Sequence, residues 1–398
     1  NLAYAYTTYG VRLADSGNFD QAIEFLKKAV DVSFDQNTIQ NLAMICAKKA
    51  IAAVMKNNLV DARKGFETAR AVADYYKNAR KNLSILLHNE GVVNYGKGNI
   101  PQAIIFLKES SLTYENALTF EILGDIYYKK TDLEKARFYF GKTLSFDPQN
   151  DEVQRKLQKT IKELRLSQQE ESEESPHFEI RYPHTMAIDT DSLRRVLEKS
   201  YFEIGKDLKY FPRSKTVVLF YPQDIFKNIF KMPDETRAFY DGNIRIPLPD
   251  KPMSDQELFS YIYHEYTHAV VSAKTGDKCP VWFSEGIAVW EQFKGKDTLL
   301  AGAIGRYIHQ TPISVDAMDA AFSQRNKNEK DIGRYYLLSY TAVQYIIDTW
   351  GIDGLRHLLE RIKSGRHVVN AIDDEFLLSE KEFEERWQSY VLKKYGRP

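Results

Sequence analysis

Four alanines, Ala22, Ala62, Ala103 and Ala136, recur along the first third of the chain inside one short pattern. The segments are Asn-Phe-Asp-Gln-Ala-Ile at 18–23, Leu-Val-Asp-Ala-Arg at 59–63, Asn-Ile-Pro-Gln-Ala-Ile at 99–104 and Asp-Leu-Glu-Lys-Ala-Arg at 132–137. The alanines lie 40, 41 and 33 residues apart, and each has a small residue twelve positions before it: Gly10, Ala50, Gly91 and Gly124. Helix-period stretches surround both points. Small residues there let two antiparallel helices approach closely, so the pattern predicts stacked helical hairpins. Such a unit buries its apolar face only against the next one, which excludes a single round core for this half of the molecule.

In the fourth unit, Phe120, Leu123, Gly124, Tyr127, Ala136, Phe140 and Pro148 resemble the tetratricopeptide signature. The first, with Tyr6, Gly10, Leu13, Ala22, Leu26 and Ala29, is similar, with Phe34 where proline is usual. The middle two are degenerate and exceed that family's period of about 34 residues, through longer helices or loops. A helix at about 151–166, with Val153, Leu157, Ile161 and Leu164 on one stripe, suits the cap of such a stack. The resemblance covers about 1–166. It implies an all-α superhelix whose concave groove holds a protein partner, although each aromatic taken singly reads as core.

Residues 167–176 hold four acids, three serines and no apolar side chain, the composition of a solvated linker. The pattern then changes. His177–Tyr182 alternates, Thr216–Tyr221 is a compact β-branched and aromatic run, and Asn243–Leu248 alternates again. These predict three strands, with a helix near 190–208 between the first two. Pro247 makes the third an edge strand, because proline cannot donate to a ladder.

At 398 residues the chain exceeds one ordinary core, so two domains are expected. Lys+Arg and Asp+Glu both number 55, so no net charge recruits nucleic acid or anionic lipid. No apolar run is long enough to span a membrane. Two cysteines, Cys46 and Cys279, cannot make a disulfide framework and read as buried, inert thiols. The chain begins at Asn1 rather than Met, which leaves room for a removed signal or anchor. An extracytoplasmic setting, the bacterial periplasm or outside the cell, is the expectation.

Ser254-Asp-Gln-Glu257 is a capping box that should start a helix. On that helix lies His264-Glu265-Tyr266-Thr267-His268. Histidines four apart project from one face and can share an ion, while Glu265 can reach a water beside it and take its proton. The competing reading is two surface histidines beside a tyrosine. Zinc needs a third protein ligand. After Pro280 comes Val281-Trp-Phe-Ser-Glu285-Gly-Ile-Ala-Val-Trp290, where Glu285 stands in an apolar stretch. An unpaired carboxylate there is costly, and a cation removes the cost. Glu291, one and a half turns on, is the rival third ligand.

This pairing of a histidine–glutamate helix with a downstream Trp-x-x-Glu-Gly-x-Ala segment resembles the gluzincin metallopeptidases. More closely, it resembles the bacterial peptidase MA-like proteins that often carry tetratricopeptide repeats. The resemblance covers about 177–398 and implies a multi-domain protein, an all-α tetratricopeptide superhelix followed by an α+β zincin-like domain. By it, one zinc per chain is held by His264, His268 and Glu285, with Glu265 as general base. Tyr336 matches a Tyr-x-x-Ser element ending at Ser339, as the candidate for stabilising the oxyanion. Tyr335, Tyr340, His309, His357 and His367 are alternatives, and Tyr336 also reads as a core aromatic. The resemblance further implies that substrate adds to the strand Asn243, Ile244, Arg245, Ile246, whose edge position is read from Pro247. The expectation is a peptidase acting on a peptide or protein. A non-catalytic adaptor and a hydrolase of other amides or esters remain as rivals.

Overall fold

The computed structural model describes residues 2–185, 188–231, 238–248, 254–296, 298–307, 313–323 and 329–396. The chain divides into two units, Asn1–Leu164 and Arg165–Pro398. The first is helical throughout: α1 (Leu2–Asp15), α2 (Phe19–Val32), α3 (Gln36–Met55), α4 (Leu59–Ala73), α5 (Lys77–Gly96), α6 (Ile100–Thr113), α7 (Ala117–Lys129), α8 (Leu133–Phe146) and α9 (Asp151–Ser167). Its helices pack as the hairpins α1–α2, α3–α4, α5–α6 and α7–α8.

The repeated small residues sit where the helices of a hairpin touch. Ala22, Ala62, Ala103 and Ala136 are all fully or almost fully buried. A Cβ on Gly91 would lie 2.6 Å from Leu107 Cγ, and one on Gly124 would lie 2.5 Å from Phe140 Cε1. The second hairpin carries Ala50 at that point and recovers the space from its partner helix. A Cβ on Gly65 would lie 2.8 Å from Ala50 Cβ. The long middle repeats come from their first helices. α3 and α5 have 20 residues each, against 13 in α7. Every hairpin turns through one left-handed residue, Gly17, Asn57, Gly98 or Thr131, five positions before its buried alanine.

The second unit contains β1 (Glu170–Glu174), β2 (Phe178–Pro183), α10 (Thr190–Leu208), β3 (Thr216–Pro222), α11 (Gln223–Phe230), β4 (Phe239–Tyr240) and β5 (Ile244–Leu248). Then follow α12 (Asp255–Thr275), α13 (Val281–Phe293), α14 (Thr298–Tyr307), α15 (Val315–Ser323), α16 (Glu329–Lys363), α17 (Val368–Phe376) and α18 (Glu380–Tyr395). The strands form one sheet in the order β1-β2-β3-β5-β4, with β2, β3 and β5 parallel and the outer two antiparallel. Alternate residues face opposite sides, as the two-residue period of a strand requires. Phe178, Ile180, Val218, Phe220, Ile244 and Ile246 join the core made with α10 and α12. Leu219 and Tyr221 pack on the other face with Phe226 and Ile229 of α11.

Two expectations are corrected here. Residues 167–176 are not simply a solvated linker, because Glu170–Glu174 form β1 along β2. An outer strand needs backbone pairing on one side only, and charged side chains suit its open side. Nor is β5 a free edge: Ile244 and Arg245 pair with Tyr240 and Phe239 of β4, which the sequence pattern did not reveal. Pro247 lies opposite Tyr221 of β3, beyond the two residues that β4 covers.

Candidate metal centre

α12 opens with the capping box expected of it: Glu257 N–H donates to Ser254 Oγ (3.3 Å) and Ser254 N–H to Glu257 Oε2 (3.0 Å). It ends at Gly276 in the left-handed conformation (φ 66°). Between these fixed ends His264 and His268 share one face. α13 starts directly after Pro280 and packs on α12, which brings Glu285 against the two rings.

Glu285 Oε2 lies 3.2 Å from His264 Nε2 and 3.2 Å from His268 Nε2, and the two Nε2 atoms are 3.3 Å apart. Ligand atoms about 2.0–2.1 Å from a tetrahedral ion stand about 3.3–3.4 Å from one another. The triangle has that size. Among the described residues this is the one convergent group of three such side chains. Glu285 Oε2 is buried and makes no hydrogen bond among the described residues, and the two imidazoles face its charge. Burial alone would raise the Glu285 carboxyl, but His268 and His264 together pull it well below the usual carboxylate range. Two imidazole nitrogens and one carboxylate oxygen are the donor set zinc takes in open sites, and the residues present fit the ion.

The outer nitrogens are also engaged. His264 Nδ1 faces Gln292 Oε1 at 3.1 Å, and His268 Nδ1 faces Ser284 Oγ at 2.8 Å. Gln292 Nε2 donates in turn to Ser260 Oγ at 2.6 Å. Sequence reading missed these partners, although Ser260 lies four residues before His264 and Gln292 two turns beyond Glu285.

Glu265 is 6% exposed and stands outside the triangle. Burial pushes its carboxyl up to about 7, His264 opposes the shift and Glu285 adds to it. Tyr336 lies on α16, which packs closely on α13. A Cβ on Gly286 would lie 2.3 Å from the Ser339 carbonyl oxygen, so only glycine lets α16 approach α13 this closely. Burial raises the Tyr336 phenol, and the charges of Glu285 and Glu265 raise it further. Its ring meets Phe322 edge to face, with centroids 5.3 Å apart.

The described alternatives have other contacts or positions. Tyr340 donates to Gln344 Oε1 at 3.2 Å, and the Arg334 guanidinium covers Tyr335 at 5.1 Å. His357 pairs with Glu375 at 2.8 Å, His367 is an exposed residue before α17, and His309 lies outside the described residues. Glu291 is buried, yet it is not part of the convergent group. Asn243, Ile244, Arg245 and Ile246 are buried too, which corrects their reading as an open substrate strand. Arg245 turns to Asp241 at 2.9 Å, to the Tyr221 hydroxyl and to the Phe230 ring.

Residues 257–393, which contain every residue of the triangle, match the family model of the Peptidase MA superfamily. The chain carries a Peptidase MA superfamily domain. The tetratricopeptide repeat model matches residues 3–36 and 119–150, the first and fourth hairpins. No curated protein matches the chain. The Peptidase MA match begins in the first turn of α12 and ends in α18, so the sheet lies before it.

Proposed function

We propose that this protein is a zinc-dependent metallopeptidase whose helical repeats hold a protein partner or substrate. The observation that carries the reading is the triangle of His264, His268 and Glu285, with a buried acid beside it that is not one of its corners. A zinc ion held by these three residues would supply a Lewis acid for the scissile carbonyl and acidity to the attacking water. Glu265 accepts the proton of that water and passes it to the leaving amine. A carboxyl is suited to both steps, because it can be base and acid in one cycle. The Tyr336 hydroxyl donates to the oxyanion that forms at the substrate carbonyl. It stays protonated throughout, since its surroundings oppose ionisation. The repeats, as tetratricopeptide hairpins, support protein binding.

Glu265→Gln tests the reading, because it keeps the shape of the side chain and removes its basicity. Digestion of a peptide library by the wild type should yield a substrate, and the variant should cleave it about a hundredfold more slowly or worse. Zinc content by elemental analysis should be unchanged. Equal turnover by the two proteins would sink the mechanism. Zinc binding without any cleavage, by wild type and variant alike, would favour an adaptor.

A further inference from the structure

An imidazole that offers Nε2 to a metal must carry its proton on Nδ1, and that proton needs an acceptor. Gln292 offers one: its Oε1 faces His264 Nδ1 at 3.1 Å, while its Nε2 donates to Ser260 Oγ at 2.6 Å. A serine hydroxyl can donate as well as accept, so Ser260 anchors the amide beside the ring rather than choosing its end. Removing the amide leaves the Nδ1 proton without this acceptor. His268 Nδ1 meets Ser284 Oγ at 2.8 Å, so both outer partners are uncharged. A carboxylate in either place would draw the Nδ1 proton and strengthen the ring as a donor.

We infer that Gln292, anchored by Ser260, is a positioning residue that accepts the Nδ1 proton of His264 and so keeps Nε2 free for zinc, and that with Ser284 it forms an uncharged outer shell that moderates zinc affinity. The inference rests on the proposed zinc site and adds what sets its strength. The network spans two helices: Ser260 and His264 lie on α12, Gln292 on α13. It therefore couples the tautomer to the packing of the two helices that carry the ligands.

The test is competition between the full-length protein and a chromophoric chelator for zinc. Gln292→Ala should weaken zinc ten- to a hundredfold, the usual effect of losing such a partner. Ser260→Ala, a smaller change, should also weaken it, because the amide loses its anchor. Gln292→Glu restores an acceptor and adds charge, so it should hold zinc at least as tightly as the wild type. Zinc affinity of Gln292→Ala within twofold of wild type would overturn the inference, as would an equal loss in Gln292→Glu, which would mean that shape alone matters. His264→Ala separates the two levels of argument. If it keeps zinc at wild-type affinity, the metal site itself is wrong. If it loses zinc while Gln292→Ala does not, only the positioning role fails.

Discussion

Glu285 and Glu291 share α13, six residues apart, and their surroundings drive them in opposite directions. Glu285 faces two imidazoles and is held ionised. Glu291 is 3% exposed with no hydrogen bond to Oε1; burial and the charges of Asp207 and Glu203 push it up to about 8 against the pull of Lys294. Metal content should follow the same division. Glu285→Ala, His264→Ala and His268→Ala should each lose stoichiometric zinc by elemental analysis, and Glu291→Ala should keep it. The reverse pattern for the two glutamates would move the site. Glu291 also makes a prediction about stability. Its folded pKa lies above the unfolded value near 4.5, so the folded state holds the extra proton. The stability it contributes is complete below the unfolded value and is lost as pH rises through about 8. Glu291→Gln should therefore raise Tm relative to wild type, with the gap widening between pH 5 and pH 8. A constant gap would show that Glu291 does not titrate in that range.

At the scale of elements, backbone geometry decides more than side-chain type. Thr131 occupies the hairpin turn that Gly17 and Gly98 occupy elsewhere, at φ 56°. A left-handed β-branched residue costs about 1–2 kcal/mol, and the entropy lost by glycine costs about 0.5–1 kcal/mol. The difference favours glycine, so Thr131→Gly should stabilise the repeat unit by up to about 1 kcal/mol in a denaturant titration. A loss of stability would mean that the Thr131 hydroxyl bond to the Lys130 carbonyl outweighs the strain. Gly286→Ala should act in the other direction. Its Cβ would meet backbone, which cannot swing away, and overpacking of this kind costs about 1–3 kcal/mol. Gly141→Ala is the control, since a Cβ there meets nothing within 4 Å and a helix favours alanine. Thermal melts should show the first variant less stable and the second unchanged or more stable.

The whole molecule is two units with separate cores, and the candidate metal centre lies wholly in the second. Zinc held there would stabilise the unit that binds it by about 4 kcal/mol when free metal stands a thousandfold above Kd, and, if the units unfold separately, that unit alone. Chelation should therefore lower the unfolding temperature of the second unit and leave the first where it was. Calorimetry would count the transitions, and hydrogen exchange would assign them. Protection should fall in α12 and α13 and persist in α3–α6. A uniform loss of protection would mean that the units unfold together.

The repeats and the histidine pair of the candidate metal centre were legible because each depends on spacing along one helix. Ala22 and Ala136 mark helix contacts at a fixed distance from a glycine, and His264 and His268 share a face by the period of the helix alone. Glu285 was read from chemistry, as an acid whose burial in an apolar stretch a cation would offset, and the structure sets it against two imidazoles. What depends on contacts between distant segments was not. β1 has the composition of a linker, and its strand pairing is supplied by β2. β5 lost its edge to two residues of β4. Gly65 compensates for Ala50 across a hairpin, and Gln292 reaches His264 across a helix pair. Local periodicity follows from bond geometry and so is written in the sequence. Which of several polar groups meets a given atom depends on how helices pack, and only the tertiary structure decides that.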